Sequence, residues 1–350
     1  MTRASVSKQR ALVICPGRGT YNRSELGYLS RYHSKQKALL DDFDDLRQDN
    51  QPRIQELDSA AQFSAKLHLH ADNAAPLIYS CAFADFQAID HDRFDIVGVT
   101  GNSMGWYIAL ACAGALDARR GFQLVSDMAS ITNAADLGGQ LLYPNVDDDW
   151  RFDPTLDARM KPLLAETDSN KKLYTSIRFG GYQVLAGTTA AIQNAAAVLP
   201  PTQDRYPLVL SGHSAFHTPL MAEASTQALQ RFSPEFFTAP SLPMIDGRGH
   251  IWQPLGTDRT ALREYTLVHQ VCETYDFSTA VLTAVKEFAP DVIILTGPGS
   301  TMGGAVAQAL ITDSWQNIRS KQDFIQRQKE APIVLAMGID EQRQQVVSAS

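Results

Sequence analysis

The segment Phe94–Thr100 (FDIVGVT) runs straight into Gly101-Asn102-Ser103-Met104-Gly105, and the apolar stretch WYIALACAGAL follows at once. A short continuous apolar run reads as a strand buried on both faces, and the longer stretch after it as a buried helix. A serine between two glycines at such a junction matches G-x-S-x-G, a sharp turn that pushes the hydroxyl out at the strand's C-terminal edge. There the next amide and the helix N-terminus face the oxygen of an attacked carbonyl. A glycine turn with a capping serine is the plainer alternative. The strand–turn–helix order favours a nucleophile.

Two other strands fit the same layer. Ala11–Cys15 (ALVIC) breaks into Pro16-Gly17-Arg18-Gly19, and Asp291–Leu295 (DVIIL) ends in Thr-Gly-Pro-Gly before a small-residue helix over 301–310. Residues 34–47 and 54–70 carry helical patterns, and 74–90 reads as a long buried helix. The rhythm changes after residue 139. Strand signals over 140–146, 173–178, 182–186 and 207–211 alternate with helical ones over 154–166 and 188–199, with Gly180-Gly181 as the turn. That order is β-α-β-β-α-β, the ferredoxin-like unit. The expected fold is therefore α/β: an α/β-hydrolase-like parallel-sheet core formed by residues 1–138 and 212–350, with a ferredoxin-like small domain inserted at 139–211.

Composition narrows the function. With 350 residues, 44% hydrophobic and 20% charged, the chain is long and apolar enough for two or three domains and is not disordered. A net charge of −7 without any Lys/Arg block speaks against nucleic acid or an anionic membrane as partner. No apolar run approaches the roughly 18 residues of a membrane helix. The apolar stretch Ala11–Cys15 behind the basic start is too short for a signal-peptide core. A cytoplasmic protein is expected, with reduced, buried thiols at Cys15, Cys81, Cys112 and Cys272, which form no C-x-x-C pair.

A nucleophilic serine needs a base. His213 and His217 stand out in SGHSAFHTPLM. Their spacing could suggest a metal pair, but no Glu lies between them and the glycine context argues against a helix, so no metal is expected. His68 and His70 alternate with leucine and read as decoration of a helix or loop. The glycines at 297–299 and 303–304 have the wrong spacing for a dinucleotide loop.

PGRGTY after the first strand, GNSMGW at the turn, SAFHTPLM after the inserted unit, LVHQ at 267–270 and GPG at 297–299 occur in one order. Together they resemble the malonyl-CoA:acyl carrier protein transacylase family and the related acyltransferase domains of fatty acid and polyketide synthases. The resemblance implies Ser103 as nucleophile and His217 as base, oriented by the backbone carbonyl of Gln270. It implies oxyanion amides from Met104 and Arg18, and a ping-pong reaction. In that reaction acyl-CoA, a substrate rather than a cofactor, acylates Ser103, and the phosphopantetheine thiol of an acyl carrier protein takes the acyl group. No cofactor is implied.

Four departures from the family pattern bear on the acyl group. Arg18 replaces the loop glutamine, and Asn102 and Trp106 alter the turn motif. Met128 falls where an ungapped alignment puts the family's carboxylate-binding arginine, and Arg178 opens a changed small-domain motif, RFGGY. A buried carboxylate without a cation costs several kcal/mol. So either Arg178 or Arg18 substitutes, or the acyl group is neutral and Met128, Phe179 and Trp106 line its pocket. Phe216, in the AFH motif, is expected to crowd an α-branch. A short unbranched acyl group is expected, with malonyl favoured. A thioesterase, a neutral-acyl transferase or a non-catalytic binding module are the alternatives.

Overall fold

A computed structural model describes residues 7–134 and 137–348; the first residues of the basic start lie outside the described residues. Its larger sheet has six strands in the order β11-β10-β1-β2-β7-β8. These are β1 (Gln9–Cys15), β2 (Phe94–Gly101), β7 (Met244–Ile245), β8 (Ile251–Trp252), β10 (Val292–Leu295) and β11 (Val334–Ala336). All neighbours pair in parallel except the edge strand β8, which is antiparallel to β7. Ala11 to Cys15 are fully buried, which is why the apolar run is unbroken: helices cover both faces. The chain leaves β1 towards β2 on one side and later returns to β10 on the other. The carboxyl end of β1 is therefore where the strand order reverses, the crevice in which open α/β sheets bind ligands.

The second sheet runs β6-β3-β5-β4-β9. Here β3 (Gly139–Pro144), β4 (Leu173–Phe179), β5 (Tyr182–Gly187) and β6 (Leu208–Leu210) pair antiparallel, with the helices Pro154–Leu164 and Thr189–Val198 between them. Asp153 caps the first of these helices and Thr188 the second, each accepting from backbone amides of the first turn. Leu141, Tyr143, Leu156, Met160, Leu185 and Ile192 belong to a separate small core. The fifth strand, β9 (Tyr275–Asp276), comes from the other part of the chain and pairs in parallel with β4. It ties the two sheets together at the site.

Three expectations change. The helical pattern over 54–70 forms two short helices, Ile54–Asp58 and Ala65–His68. The buried Asp58 carboxylate accepts from the amides of Leu29 and Ser30 and from the hydroxyls of Ser30 and Tyr21, and this fixes the bend. His68 is not surface decoration: it is fully buried, with Nε2 2.9 Å from the Leu57 carbonyl. Cys15, Cys81 and Cys112 are buried free thiols, whereas Cys272 is half-buried. No helix among the described residues is long and apolar enough to cross a membrane.

Candidate active site

Glycine contacts bring the two key loops together. A Cβ on Gly105 would lie 2.3 Å from the Cys15 carbonyl oxygen and 2.9 Å from that of Pro16, so the helix Gly105–Cys112 starts directly against the end of β1. A Cβ on Gly17 would meet the Asn102 carbonyl at 2.8 Å. The loop after β1 and the turn after β2 therefore touch through backbone, with no side chain between them. Ser103 sits at φ 55°, a left-handed conformation that costs a non-glycine residue of order 1 kcal/mol or more. Tyr275 on β9 donates its buried hydroxyl to the Gly101 carbonyl at 2.5 Å, bracing the turn from below.

His217 arrives from a distant part of the chain. Ser103 Oγ lies 2.6 Å from His217 Nε2, and His217 Nδ1 lies 2.5 Å from the main-chain carbonyl of Gln270. A carbonyl can only accept, so Nδ1 carries the proton and Nε2 offers its lone pair to the serine. His217 is itself at φ 58°, and its amide donates to the Val271 carbonyl at 3.0 Å. Gln270 follows a wide π turn, Tyr265–His269. Its side chain donates to the Ser103 carbonyl at 3.1 Å and accepts from Tyr107 Oη at 2.8 Å. One residue thus orients the His217 ring through its backbone and steadies the Ser103 turn through its side chain. Burial lowers the His217 pKa to about 4, partly offset by the Gln270 bond, so the ring is a free base at neutral pH. Among the described residues neither the Met104 nor the Arg18 amide donates to a protein acceptor, and Met104 stands at the helix start beside the serine. The set can remove a proton from Ser103 and supply donors to an oxyanion.

Ser103 and His217 open onto a cavity of about 630 Å³. Arg18, Asn102, Met104, Met128, Phe216 and Gln270 all contribute to its wall. Arg178 and Trp106 do not. Successive residues of a strand point to opposite faces, and Ile177 and Phe179 of β4 line the cavity. Arg178 therefore faces away, half-exposed, in an ion pair with Asp276 at 3.1 Å. Trp106 turns into the core, fully buried, and donates to Thr266 Oγ1 at 3.0 Å. His213 is on the wall but does not reach the serine; its Nδ1 lies 2.8 Å from Gln140 Oε1. Gln140 in turn donates to Ser176, which donates to the Phe216 carbonyl just before the base. Tyr107, Gln140, Ser176 and Tyr275 escaped the sequence reading because their partners lie between 36 and 174 residues away.

No protein-family model matches the chain. The malonyl CoA-acyl carrier protein transacylase of Synechocystis is 26% identical over 147 residues, 42% of this chain and 45% of that protein. A non-reducing polyketide synthase of Penicillium brevicompactum is 24% identical over 274 residues, 76% of this chain and 10% of the synthase. The chain thus spans less than half the length of either relative. The acyl-carrier-protein S-malonyltransferase of Burkholderia pseudomallei superposes with a TM-score of 0.74 at 19% identity, over 96% of this chain and 98% of that one. The chain has the malonyltransferase fold. A malonyl-transacylase solved in complex with its type II polyketide acyl carrier protein shares it too, with a TM-score of 0.69 at 19% identity over 87% and 93% of the two chains. The resemblance carried by the motifs and the likeness of fold point to the same named proteins.

Proposed function

We propose that this protein is an acyltransferase that moves an acyl group from coenzyme A to the phosphopantetheine thiol of an acyl carrier protein through a covalent intermediate on Ser103. The observation that carries this reading is the relay from Ser103 Oγ through His217 to the Gln270 carbonyl. As Ser103 Oγ attacks the thioester carbonyl, His217 Nε2 takes its proton, and the oxyanion meets the amides of Met104 and Arg18. Collapse breaks the C–S bond, and the imidazolium returns the proton to the departing CoA sulfur. In the second half the carrier thiol gives its proton to His217, its sulfur attacks the acyl-serine, and Ser103 leaves protonated. Residues 139–211 act as a unit that walls the cavity through β4, β5 and β6. The carrier-protein complex of a protein of the same fold supports the acceptor.

The test is intact-mass analysis after mixing with a panel of acyl-CoAs, followed by addition of holo carrier protein. The wild type should gain one acyl mass and pass it to the carrier faster than to water. Ser103→Ala should gain none. An unchanged mass shift in the alanine variant removes Ser103 from the mechanism, and release to water unaffected by carrier protein makes the enzyme a thioesterase.

A further inference from the structure

We propose that Ser176 is a positioning residue: from the inserted unit it clamps the peptide between Phe216 and His217 and so holds the imidazole against Ser103. This rests on the reading of Ser103 and His217 as nucleophile and base. His217 sits at φ 58°, in the left-handed region, where a residue with a side chain stays only if its surroundings fix the backbone. Rotation about that bond, together with the peptide plane before it, decides where the ring points. Both ends of that peptide are held. Its N–H donates to the Val271 carbonyl at 3.0 Å, and its oxygen, the Phe216 carbonyl, accepts from Ser176 Oγ at 2.7 Å. The first partner follows Gln270, which orients the ring; the second lies on β4, in the other sheet. Alignment of the base thereby depends on the seating of residues 139–211.

The direction of each hydrogen bond follows from the last one. A carbonyl only accepts, so the Ser176 hydroxyl donates to Phe216, and its lone pair is left for Gln140 Nε2 at 2.7 Å. The Gln140 oxygen is thereby turned to His213 Nδ1 at 2.8 Å, which carries the proton. Burial, with the Arg18 charge alongside, pulls the His213 pKa down to about 3, so the chain starts from a neutral ring. Ser176 is fully buried, so water does not compete for its hydroxyl, and it stands off the cavity wall, so its removal takes away no contact to substrate. Without it the peptide is held at one end only. The backbone of His217 can then relax out of the left-handed region, which swings the ring off Ser103 Oγ, now 2.6 Å from Nε2.

The experiment labels Ser103 with a fluorophosphonate, whose phosphorus takes the serine oxygen as fluoride leaves and His217 takes the hydroxyl proton. It reads the pair without coenzyme A or an acyl group, and acylation by acyl-CoA is timed alongside. Ser176→Ala should slow both about 10- to 100-fold, as a misplacement of about 1 Å does, with KM for acyl-CoA unchanged. Ser176→Thr returns the hydroxyl and should return the rate. Ser176→Cys, a weak donor of similar size, should fall between, and it carries the comparison if the alanine variant does not fold. Gln140→Leu breaks two hydrogen bonds but leaves the Ser176 bond to Phe216, so it should slow labelling less than Ser176→Ala even where it lowers the melting temperature more. Equal labelling of Ser176→Ala and wild type, or an equal loss in Gln140→Leu, overturns the clamp while acyl transfer stands. A rise in KM with labelling unchanged overturns it too. If wild type labels at Ser103 but no thioester acylates it, the acyl-transfer reading fails and the labelling series still decides the clamp. If wild type is not labelled at Ser103, both readings fail.

Discussion

Replacing Gln270 by alanine separates the two jobs given to that residue. Its main-chain carbonyl holds His217 Nδ1 at 2.5 Å and survives the substitution. Its side chain holds Tyr107 Oη at 2.8 Å and the Ser103 carbonyl at 3.1 Å, and both bonds are lost. Tyr107 is only 6% exposed, so its hydroxyl is left without a partner, at about 1–3 kcal/mol. The Ser103 carbonyl also loses a donor that helps to hold a strained φ of 55°. Gln270→Ala should therefore destabilise the fold by about 2–3 kcal/mol in urea denaturation. Its acylation rate should fall only about 10-fold, against at least ~100-fold for His217→Ala, because the base keeps its orientation. Tyr107→Phe removes one of the two bonds and the orphaned hydroxyl together, and should be milder on both measures. Stopped-flow release of CoA from acyl-CoA follows the chemical step directly. A loss in Gln270→Ala as large as in His217→Ala, with near-UV circular dichroism unchanged, would refute the reasoning: the side chain, rather than the carbonyl, would then be what positions the base.

The remaining expectations concern protons and packing. Because burial lowers His217 to about 4, the acylation rate should stay flat from about pH 5 to 8 and fall below that; an acid limb near the ordinary histidine value of about 6.5 would contradict the buried neutral ring. Stability should follow the same sign: above about 6.5 the lowered pKa of His217 has no effect, and as pH falls towards 4 the unfolded chain takes a proton that the folded one refuses, at about 3 kcal/mol, measurable by denaturation at pH 7 and 4.5. Gly105→Ala drives a Cβ to 2.3 Å from the Cys15 backbone oxygen and should abolish the folded protein or cost several kcal/mol, whereas Gly304→Ala, with nothing within 4 Å of its Cβ, should raise thermal stability slightly; equal melting temperatures would discredit the backbone contact.

What the chain discloses by itself are the features whose cause is local. The GNSMG turn is legible because its glycines record a contact of backbone with backbone, and the strand and helix on either side confirm the geometry within 20 residues. The βαββαβ run is legible for the same reason, since each of its turns and caps lies beside the element it ends. The two-residue strands β7, β8 and β9 are too short to show any period, yet β9 supplies Tyr275 to the turn and joins the sheets. Arg178 shows a different kind of failure. The strand over 173–178 is legible from its pattern, and its alternation sets Arg178 on the face opposite Ile177; the motif resemblance, which carries no such period, draws Arg178 into the pocket instead. Asp85 marks the limit in the other direction. In the apolar helix Ala71–Ala88 an acid reads as a solvated exception, but it is fully buried, accepting from Tyr28, Arg343 and the Gly297 amide and bonded to His33. Gly297 starts the GPG loop, whose Gly299 packs against the Thr20 carbonyl, in the loop that carries Arg18. The support for that loop thus comes from partners up to 258 residues apart, and only the folded chain brings them within a hydrogen bond of one another.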